Sequence, residues 1–359
     1  MHVYFDIQHF YYIPQYLPVA AALEQRGVHC TFVLYTQELM DSAMIKFVQD
    51  NQLSYLRVGN VEEAQKLYEQ KKPDWIIFGN AFSSLTKINR HSRTALMQHG
   101  IGPKSCYYEV SESDIQYRFV EGQHRYARLK EYFPDKTFID TGYAKLDPIV
   151  NGSQMKPNIT SLGLDPNKQT ILYAPTYYPS SIEKLPLDFP EKLSAFNLIV
   201  KPHFFSLTKD RYRKQQKVFT KWLQSPNVYL ATAEEISILP FMALADLLIS
   251  DTSSTLFEFT ALNKPAIWCD FFKVRWSYRG VLKWRLKKRL DQDLAYFGKV
   301  ATRVTNIDEL LTQTLLHINE PSLKEADRKA MTELLTGAVD GKCSERIADF
   351  IIAQRSKPS

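Results

Sequence analysis

Short apolar runs alternate along the chain with longer amphipathic stretches. The opening predicts a strand at residues 2–6, a helix that includes 17–23 and ends at Gly27, and a second strand at 28–35. Strand, helix and strand at this spacing form a βαβ unit, whose crossover implies parallel pairing. The same pattern predicts later strands at 75–78, 94–97, 117–120, 137–139, 170–173, 198–200, 228–230, 247–250 and 266–268.

A polar stretch divides this series into two halves. Residues 151–168 contain Gly, Pro and Asn and show no hydrophobic period, so we interpret them as a linker. Helices at 209–223, 236–245 and 255–262 separate the later strands, and a last amphipathic helix covers 344–353. The predicted fold is therefore α/β, with two Rossmann-like parallel-sheet domains facing a central cleft. We expect domains at 1–155 and 168–340, and a C-terminal segment, 341–359, that packs on the first domain.

Composition narrows the class of protein. With 359 residues, 45% of them hydrophobic and 23% charged, the chain can bury two cores, and disordered or fibrous classes are excluded. No apolar run approaches the roughly 18–20 residues of a membrane span, and the N-terminal sequence does not resemble a secretion signal. The four cysteines lie far apart and form no metal-ligand pattern, which favours a reducing, cytoplasmic location without disulfides or zinc.

The positive charge is concentrated in one segment. Residues 271–290 contain eight Lys and Arg and no acid, whereas the whole chain carries only +6, so the remainder is slightly acidic. A basic segment with aromatic residues is typical of contact with an anionic membrane surface, although a solvated helix or cations lining the cleft would give the same pattern. Nucleic acid is the weaker alternative, because no base-reading motif is present. The membrane-binding candidates are Trp276, Lys283, Trp284, Arg285, Lys287, Lys288 and Arg289.

Histidines follow a predicted strand in each half. His99 and Gly100 come after the strand at 94–97, where a histidine can face a cleft and act as a general base; a loop hydrogen bond is the alternative. Lys201 and His203 follow the strand at 198–200 in the same way. Two such groups at one strand end suit a diphosphate, although an exposed polar loop would look the same.

The clearest motif joins a strand to a helix through hydroxyl groups. Ser250-Asp251-Thr252-Ser253-Ser254-Thr255 continues an apolar strand and opens a helix that contains Glu258. Hydroxyls and free N–H groups at a helix start can bind phosphate, and this role is compatible with simple N-capping. Glu258, one turn further, is a candidate for ribose hydroxyls.

Several familiar signatures are missing from the sequence. It contains no GxGxxG, GxxxxGK, HExxH or GxSxG, which argues against dinucleotide, P-loop, zincin and serine-hydrolase chemistry. Asp291-Gln292-Asp293 matches a metal-binding DxD formally, but it follows the basic segment rather than a strand, so we interpret it as a surface acid pair.

Six short motifs, in this order along the chain, resemble those of the CDP-glycerol glycerophosphotransferase family, the enzymes that build teichoic acids and related phosphopolymers. The region of resemblance runs from about residue 94 to 352. The motifs are Gln98-His99-Gly100, Thr141-Gly142-Tyr143-Ala144-Lys145-Leu146-Asp147, Tyr173-Ala174-Pro175-Thr176, Lys201-Pro202-His203, Ser250-Asp251-Thr252-Ser253-Ser254 and Asp340-Gly341-Lys342-Cys343-Ser344-Glu345-Arg346-Ile347.

The resemblance implies a GT-B fold and transfer of glycerol phosphate from CDP-glycerol, with release of CMP. His99 would deprotonate the acceptor hydroxyl, and His203 would hold the diphosphate. We expect no required cofactor or metal ion, because His203, Lys201 and helix N–H groups can offset the charge on the leaving CMP. Further substrate-binding residues that the resemblance implies, together with those argued from strand ends, are Gly100, Lys145, Asp147, Thr176, Lys201, Asp251, Thr252, Ser253, Ser254 and Glu258.

Together these observations predict a cytoplasmic enzyme lying peripherally on the inner face of the cell membrane. Its acceptor would be a lipid-linked molecule or a polysaccharide, in capsule or teichoic-acid-like biosynthesis. One alternative is a GT-B glycosyltransferase that uses a UDP- or CMP-sugar. Another is a non-catalytic membrane- or polysaccharide-binding protein with a decayed cleft.

Overall fold

The computed structural model describes residues 1–36, 40–101, 106–272 and 295–354, excluding the side chains of residues 106 and 107. The described residues form two compact units. The first contains those of Met1–Ile101, Ser105–Ser153 and Glu333–Ser359, and the second those of Gln154–Thr332.

The first unit is built on a seven-stranded sheet in the order β3-β2-β1-β4-β5-β6-β7. Every neighbouring pair is parallel, as the βαβ pattern predicts. The strands are β1 (His2–Ile7), β2 (His29–Tyr35), β3 (Tyr55–Val58), β4 (Trp75–Phe78), β5 (Arg93–Met97), β6 (Tyr117–Val120) and β7 (Thr137–Asp140).

Local sequence signals set the helix ends of this unit. Asn60 caps one helix by accepting from the Glu63 amide at 2.9 Å, and the Glu63 carboxylate accepts from the Gly59 amide at 2.7 Å. The helices of the unit's first part are α1 (Ile13–Glu24), α2 (Asp41–Asp50), α3 (Val61–Lys71), α4 (Leu85–Ile88), α5 (Cys106–Glu109), α6 (Gln123–Tyr132) and α7 (Asp147–Val150).

The second unit has a six-stranded parallel sheet in the order β10-β9-β8-β11-β12-β13. Because β9, β8 and β11 are neighbours, the loops that follow them leave the same edge of the sheet side by side. The strands are β8 (Thr170–Ala174), β9 (Asn197–Val200), β10 (Val228–Leu230), β11 (Leu247–Ser250), β12 (Ala266–Cys269) and β13 (Thr302–Val304).

Both faces of this second sheet are covered at its centre, as is usual for a parallel sheet. Strands β8, β9, β11 and β12 are buried along their whole length. The helices are α8 (Phe189–Lys192), α9 (Phe204–Thr208), α10 (Arg213–Trp222), α11 (Leu239–Leu244), α12 (Ser254–Thr260), α13 (Ala295–Val300) and α14 (Ile307–Asn319); α15 (Glu325–Leu335) starts in this unit and ends in the first.

The last helix, α16 (Cys343–Ala353), belongs to the first unit. Its apolar face buries Ile347 and Ile351, and the Phe350 ring lies 5.3 Å from that of Tyr117. The structure confirms the predicted α/β class with two Rossmann-like parallel-sheet domains, the class to which GT-B proteins belong. The predicted cleft and domain boundaries stay predictions. Two edge strands, β3 and β13, were not predicted.

Candidate functional site

His99 lies just beyond the carboxyl end of β5, with its ring against two tyrosines. The Tyr11 ring is 4.5 Å away, and the Tyr12 ring is stacked at 5.1 Å with an interplanar angle of 29°. Tyr12 is buried, whereas Tyr11 and His99 are half-buried. The imidazole is therefore held by ring contacts and stays partly accessible, as a general base must be.

A glycine makes room for this arrangement. Gly79 directly follows β4, and a Cβ built at this position would come within 2.4 Å of the Tyr12 ring. Any larger residue would push Tyr12 off His99. From the other side, the Tyr143 hydroxyl donates to the His99 carbonyl at 2.6 Å.

Lys145 and Asp147, both predicted to bind substrate, are tied into the first unit. The Lys145 amide donates to the Gln15 side chain at 2.9 Å, and the Lys145 side chain is half-buried. Asp147 is buried, and its Oδ2 accepts from both the amide and the hydroxyl of Ser344 at 2.6 Å. Asp147 thus anchors the first turn of α16, and its predicted role in substrate binding stays a prediction.

The contact between Asp147 and Ser344 joins two of the six sequence motifs. Arg346 donates to the Thr141 carbonyl at 3.0 Å and pairs with Asp340 at 2.8 Å. The backbone of Gly142 lies against Cys343 in a left-handed conformation, with φ at 79°. The motifs 141–147 and 340–347 are far apart in sequence, but they pack together and are joined by hydrogen bonds within the first unit.

In the second unit, His203 caps α9 through its side chain. Its Nδ1 accepts from the Phe205 amide at 3.1 Å. An imidazolium has no acceptor, so this cap requires a neutral ring with its proton on Nε2. The rings of Tyr177 and Phe205 lie 4.6 and 4.9 Å away. The site accordingly presents a fixed hydrogen-bond donor.

Lys201 lies two residues earlier, directly after β9. It is half-buried, and within the described part of the chain its ammonium makes no hydrogen bond or ion pair. Burial lowers the pKa of Lys201 to about 8, an effect that the charge of Glu235 partly opposes. An unpaired ammonium in this position is suited to bind an anion.

Asp251 holds the loop after β8 against the end of β11. It is buried, with Oδ2 accepting from the Thr176 amide and Oδ1 from the Ser181 amide, both at 3.0 Å. The Ser250 hydroxyl adds a bond to the Ala174 carbonyl at 2.6 Å. Burial raises the pKa of Asp251 to about 6, and the hydrogen bonds oppose that rise. The geometry gives Asp251 a positioning task, and direct contact with substrate stays a prediction.

The hydroxyl residues after Asp251 are half-buried at the same edge. Thr252 accepts from the Trp268 indole N–H at 3.1 Å, and Ser253 caps α12 by accepting from the Thr255 amide at 3.3 Å. This is the N-capping that the sequence allowed beside phosphate binding, and phosphate binding by Thr252, Ser253 and Ser254 stays a prediction. Ser254 is the first residue of α12.

Thr176 and Glu258 complete the predicted set in this unit. The Thr176 hydroxyl donates to the Pro179 carbonyl at 2.8 Å. Glu258 is only 1% exposed, so its carboxylate is inaccessible to a ribose in this structure. Its assignment as a ribose ligand receives no support from this geometry.

The membrane-binding candidates and the acid pair that follows the basic segment lie outside the described residues. Between residues 1 and 354, the described ranges contain no group of three or more His, Cys, Asp or Glu that could hold a metal ion. In the same ranges, no helix is long and apolar enough to cross a membrane. Asp291, Asp293 and all seven membrane-binding candidates, Trp276, Lys283, Trp284, Arg285, Lys287, Lys288 and Arg289, fall outside them.

Sequence reasoning missed the groups that surround His99. Tyr11 and Tyr12 were visible only as part of an aromatic run after β1. Glu121 and Arg125 form a buried ion pair at 2.7 Å, and Arg125 reaches the Gly100 carbonyl. Their spacing of four residues is that of an ordinary surface pair on a helix, which gave no signal of burial.

Solved structures of two kinds share the fold. One is the wall teichoic acid polymerase TagF, with a TM-score of 0.65 and 14% identity over 99% of this chain and 88% of that one. Another is a UDP-GlcNAc 2-epimerase from Neisseria meningitidis, with a TM-score of 0.60 and 12% identity over 98% and 100%. At these identities the likeness shows the fold alone.

Curated relatives come from teichoic acid synthesis. A teichoic acid glycerol-phosphate primase of Bacillus subtilis is 27% identical over 60% of this chain and 55% of its own. A teichoic acid ribitol-phosphate primase of Bacillus spizizenii is 25% identical over 72% and 64%. The chain spans 55% and 64% of the length of these two relatives, less than two thirds of either.

The sequence profile described as CDP-glycerol:poly(glycerophosphate) glycerophosphotransferase matches residues 56–353. That span includes the strand-end positions of His99, Lys201 and His203, and it covers most of the chain. The resemblance seen in the six motifs is thereby confirmed, and the chain belongs to the CDP-glycerol:poly(glycerophosphate) glycerophosphotransferase family.

Proposed function

We propose that the protein transfers glycerol phosphate from CDP-glycerol to a hydroxyl of a lipid-linked or saccharide acceptor and releases CMP. The observation that carries this proposal is the family match over residues 56–353. The polymer is a surface phosphopolymer, either teichoic-acid-like or capsular. The primase relatives support the teichoic-acid side of this choice.

The donor diphosphate is the natural ligand of the carboxyl edge of the second sheet. There, after β9, Lys201 supplies a positive charge and His203 a neutral Nε2–H donor. The Thr252 hydroxyl follows β11, which lies on the other side of β8. Such groups stabilise the charge that builds up on the leaving CMP. Because phosphoryl transfer depends mainly on positioning and charge stabilisation, no covalent intermediate is needed.

His99 is the general base. It takes the proton of the acceptor hydroxyl, whose oxygen then forms a bond to the β-phosphorus of CDP-glycerol. The bond from this phosphorus to the bridging oxygen breaks, and CMP leaves with the electron pair. Glycerol phosphate thus stays intact in the product, which distinguishes this reaction from glycosyl transfer.

The decisive assay supplies CDP-glycerol labelled in its glycerol phosphate, together with a membrane extract as acceptor source. CMP release with label in the lipid or polymer fraction is expected. His99→Ala should lower turnover by roughly 10²-fold or more. His91, an exposed histidine of the same unit, provides a matched control as His91→Ala. Release of UDP or CMP from nucleotide sugars instead would establish the glycosyltransferase alternative. No turnover of any donor, with membrane or polysaccharide binding unchanged in His99→Ala and His203→Ala, would establish the binding-protein alternative.

The alcohol carried by the donor is tested in the same assay. CDP-glycerol and CDP-ribitol compete at equal concentration, and we expect the glycerol label to be transferred faster. Preferential transfer of ribitol phosphate would keep the chemistry and change the substrate.

We also propose that the reaction needs no metal ion, since Lys201 offsets part of the diphosphate charge and the neutral His203 ring donates a hydrogen bond to it. Activity unchanged in EDTA is the expected result. Complete loss that Mg²⁺ restores would refute metal independence while leaving the transfer reaction in place.

Peripheral attachment to the cytoplasmic face of the membrane is proposed from the sequence of the basic segment. Neutralising Lys283, Arg285, Lys287, Lys288 and Arg289 together should release the protein from vesicles that contain anionic phospholipid. Neutral vesicles are the control, because each nearby basic residue contributes roughly 1 kcal/mol only at an anionic surface. Undiminished binding by the variant would refute this attachment.

A further inference from the structure

A buried ion pair lies at the carboxyl end of β6, next to the loop of His99. Glu121 follows β6 directly and Arg125 lies in the first turn of α6; the two are 5% and 3% exposed, and their charged atoms are 2.7 Å apart. Burying two charges is costly, and a pair of apolar residues often stabilises a core as well or better. Since stability alone does not account for this buried pair, its contact with the neighbouring His99 loop indicates a further role.

The register of the sheet brings this pair to His99. Strands β5 and β6 are parallel, with Met97 opposite Phe119. His99 and Glu121 each lie two residues beyond this last pair, so both leave the same edge of the sheet together. Glu121 was not among the residues predicted from the sequence.

Two side chains then hold successive carbonyl groups of the His99 loop. Arg125 Nη1 donates to the Gly100 carbonyl at 3.4 Å, and the Tyr143 hydroxyl donates to the His99 carbonyl at 2.6 Å. Arg125 keeps its other contact with Glu121. The backbone that follows the His99 side chain is therefore held at two successive carbonyls, by one residue of α6 and one of the segment after β7.

We propose that Glu121 and Arg125, together with Tyr143, are positioning residues that orient the His99 imidazole for proton transfer. This inference rests on the proposed role of His99 as general base. None of the three touches the reacting atoms. Glu121 orients Arg125, Arg125 and Tyr143 fix the loop, and the loop sets the direction of the ring between Tyr11 and Tyr12.

The test uses variants that remove the contacts without leaving a charge buried alone. The double substitution Glu121→Gln with Arg125→Met removes both charges, and Tyr143→Phe removes one hydroxyl. We expect each to lower kcat at least tenfold, because small misplacements of a catalytic group are costly, and to change the KM for CDP-glycerol less than twofold. Arg125→Lys keeps a charge and a donor, so its kcat should be higher than that of the double variant.

Arg118 provides the matched control. It is a buried arginine of β6 that donates to loop carbonyls of Ile115, Ser111 and Ser113, away from His99. Arg118→Lys should lower the melting temperature and leave kcat unchanged in assays well below the transition. The same kcat loss in this variant would show that any damage to the unit lowers turnover, and would overturn the proposal.

A double-mutant cycle with His99→Ala separates positioning from a structural effect. If the pair acts through His99, Tyr143→Phe and the Glu121–Arg125 double variant cause no further loss of the residual turnover of His99→Ala. Equal fold losses in both backgrounds would overturn the inference and leave the base assignment intact. Full turnover by His99→Ala itself would refute the base assignment and the inference with it.

Discussion

Asp147 offers the sharpest separation between a structural and a ligand-binding role. Its Oδ2 accepts two hydrogen bonds of 2.6 Å from Ser344, at the start of α16. Both residues are buried. Asp147→Ala leaves the Ser344 amide and hydroxyl without this acceptor, and each buried unsatisfied donor costs about 1–3 kcal/mol. We therefore expect α16 to lose about 2–6 kcal/mol of local stability.

The measurement is hydrogen exchange of the α16 amides, read by mass spectrometry on the full chain. Local exchange is preferable to one global unfolding free energy, because the chain has two compact units. Ser344→Ala is the matched variant. It keeps the amide bond to Asp147 and loses only the hydroxyl bond, so about 1 kcal/mol is expected.

The refuting result is specific. If Asp147 binds substrate instead, Asp147→Ala leaves exchange in residues 343–353 unchanged and raises the KM for CDP-glycerol. A loss of protection in α16 with an unchanged KM for the properly folded fraction confirms the structural role.

Three further predictions concern Asp6, Gly79 and Lys201. Burial raises the pKa of Asp6 from 3.8 to about 6, so unfolding releases a proton and stability falls as pH rises from about 4 to 6. Asp6→Asn should remove this fall of about 3 kcal/mol, as urea unfolding at several pH values will show. Gly79→Ala should displace Tyr12 from His99, costing about 1–3 kcal/mol and at least tenfold in kcat. Because the pKa of Lys201 is about 8, the KM for CDP-glycerol should rise above that pH, and Lys201→Met should abolish the rise.

Each of these three has a result that contradicts it. An identical pH slope in wild type and Asp6→Asn would exclude Asp6 as its source. For the glycine, Gly298→Ala is the control, since a Cβ there meets nothing within 4 Å; equal losses in both variants would disprove the steric reasoning. Persistence of the KM inflection in Lys201→Met would assign it to another group.

The central strands were predictable because a buried parallel strand is a continuous apolar run. Residues 75–78 and 117–120 were predicted with the bounds that the structure gives to β4 and β6. The two strands that were missed lie at sheet edges. Strand β3 reads Tyr-Leu-Arg-Val and β13 reads Thr-Arg-Val, with partly exposed positions in each. An edge strand is covered by fewer neighbours, so its sequence carries less of the hydrophobic signal.

The candidate site was predictable in its positions and less so in its tasks. Histidines at strand ends could be found from sequence, because strands reveal where a parallel sheet ends. The tasks of Asp147 and Asp251 could not, since their partners are 197 and up to 75 residues away. A motif shows that an acidic residue belongs to a set, and only the fold shows whether its carboxylate faces a ligand or a backbone amide.

The two histidines are held in ways that suit different chemistry. At His203, protonation of Nδ1 would break the bond from the Phe205 amide, so the cap favours one neutral form that donates from Nε2. At His99, the flanking Tyr11 and Tyr12 rings tolerate a neutral or a cationic imidazole, because the faces of aromatic rings attract cations. A group that must gain and lose a proton needs that freedom, whereas a fixed donor does not. His203→Gln should therefore lower turnover at every pH, and His99→Ala should remove the fall in turnover on the acid side of the pH–rate profile. Disappearance of the acid-side fall in His203→Gln, with its retention in His99→Ala, would require the two roles to be exchanged.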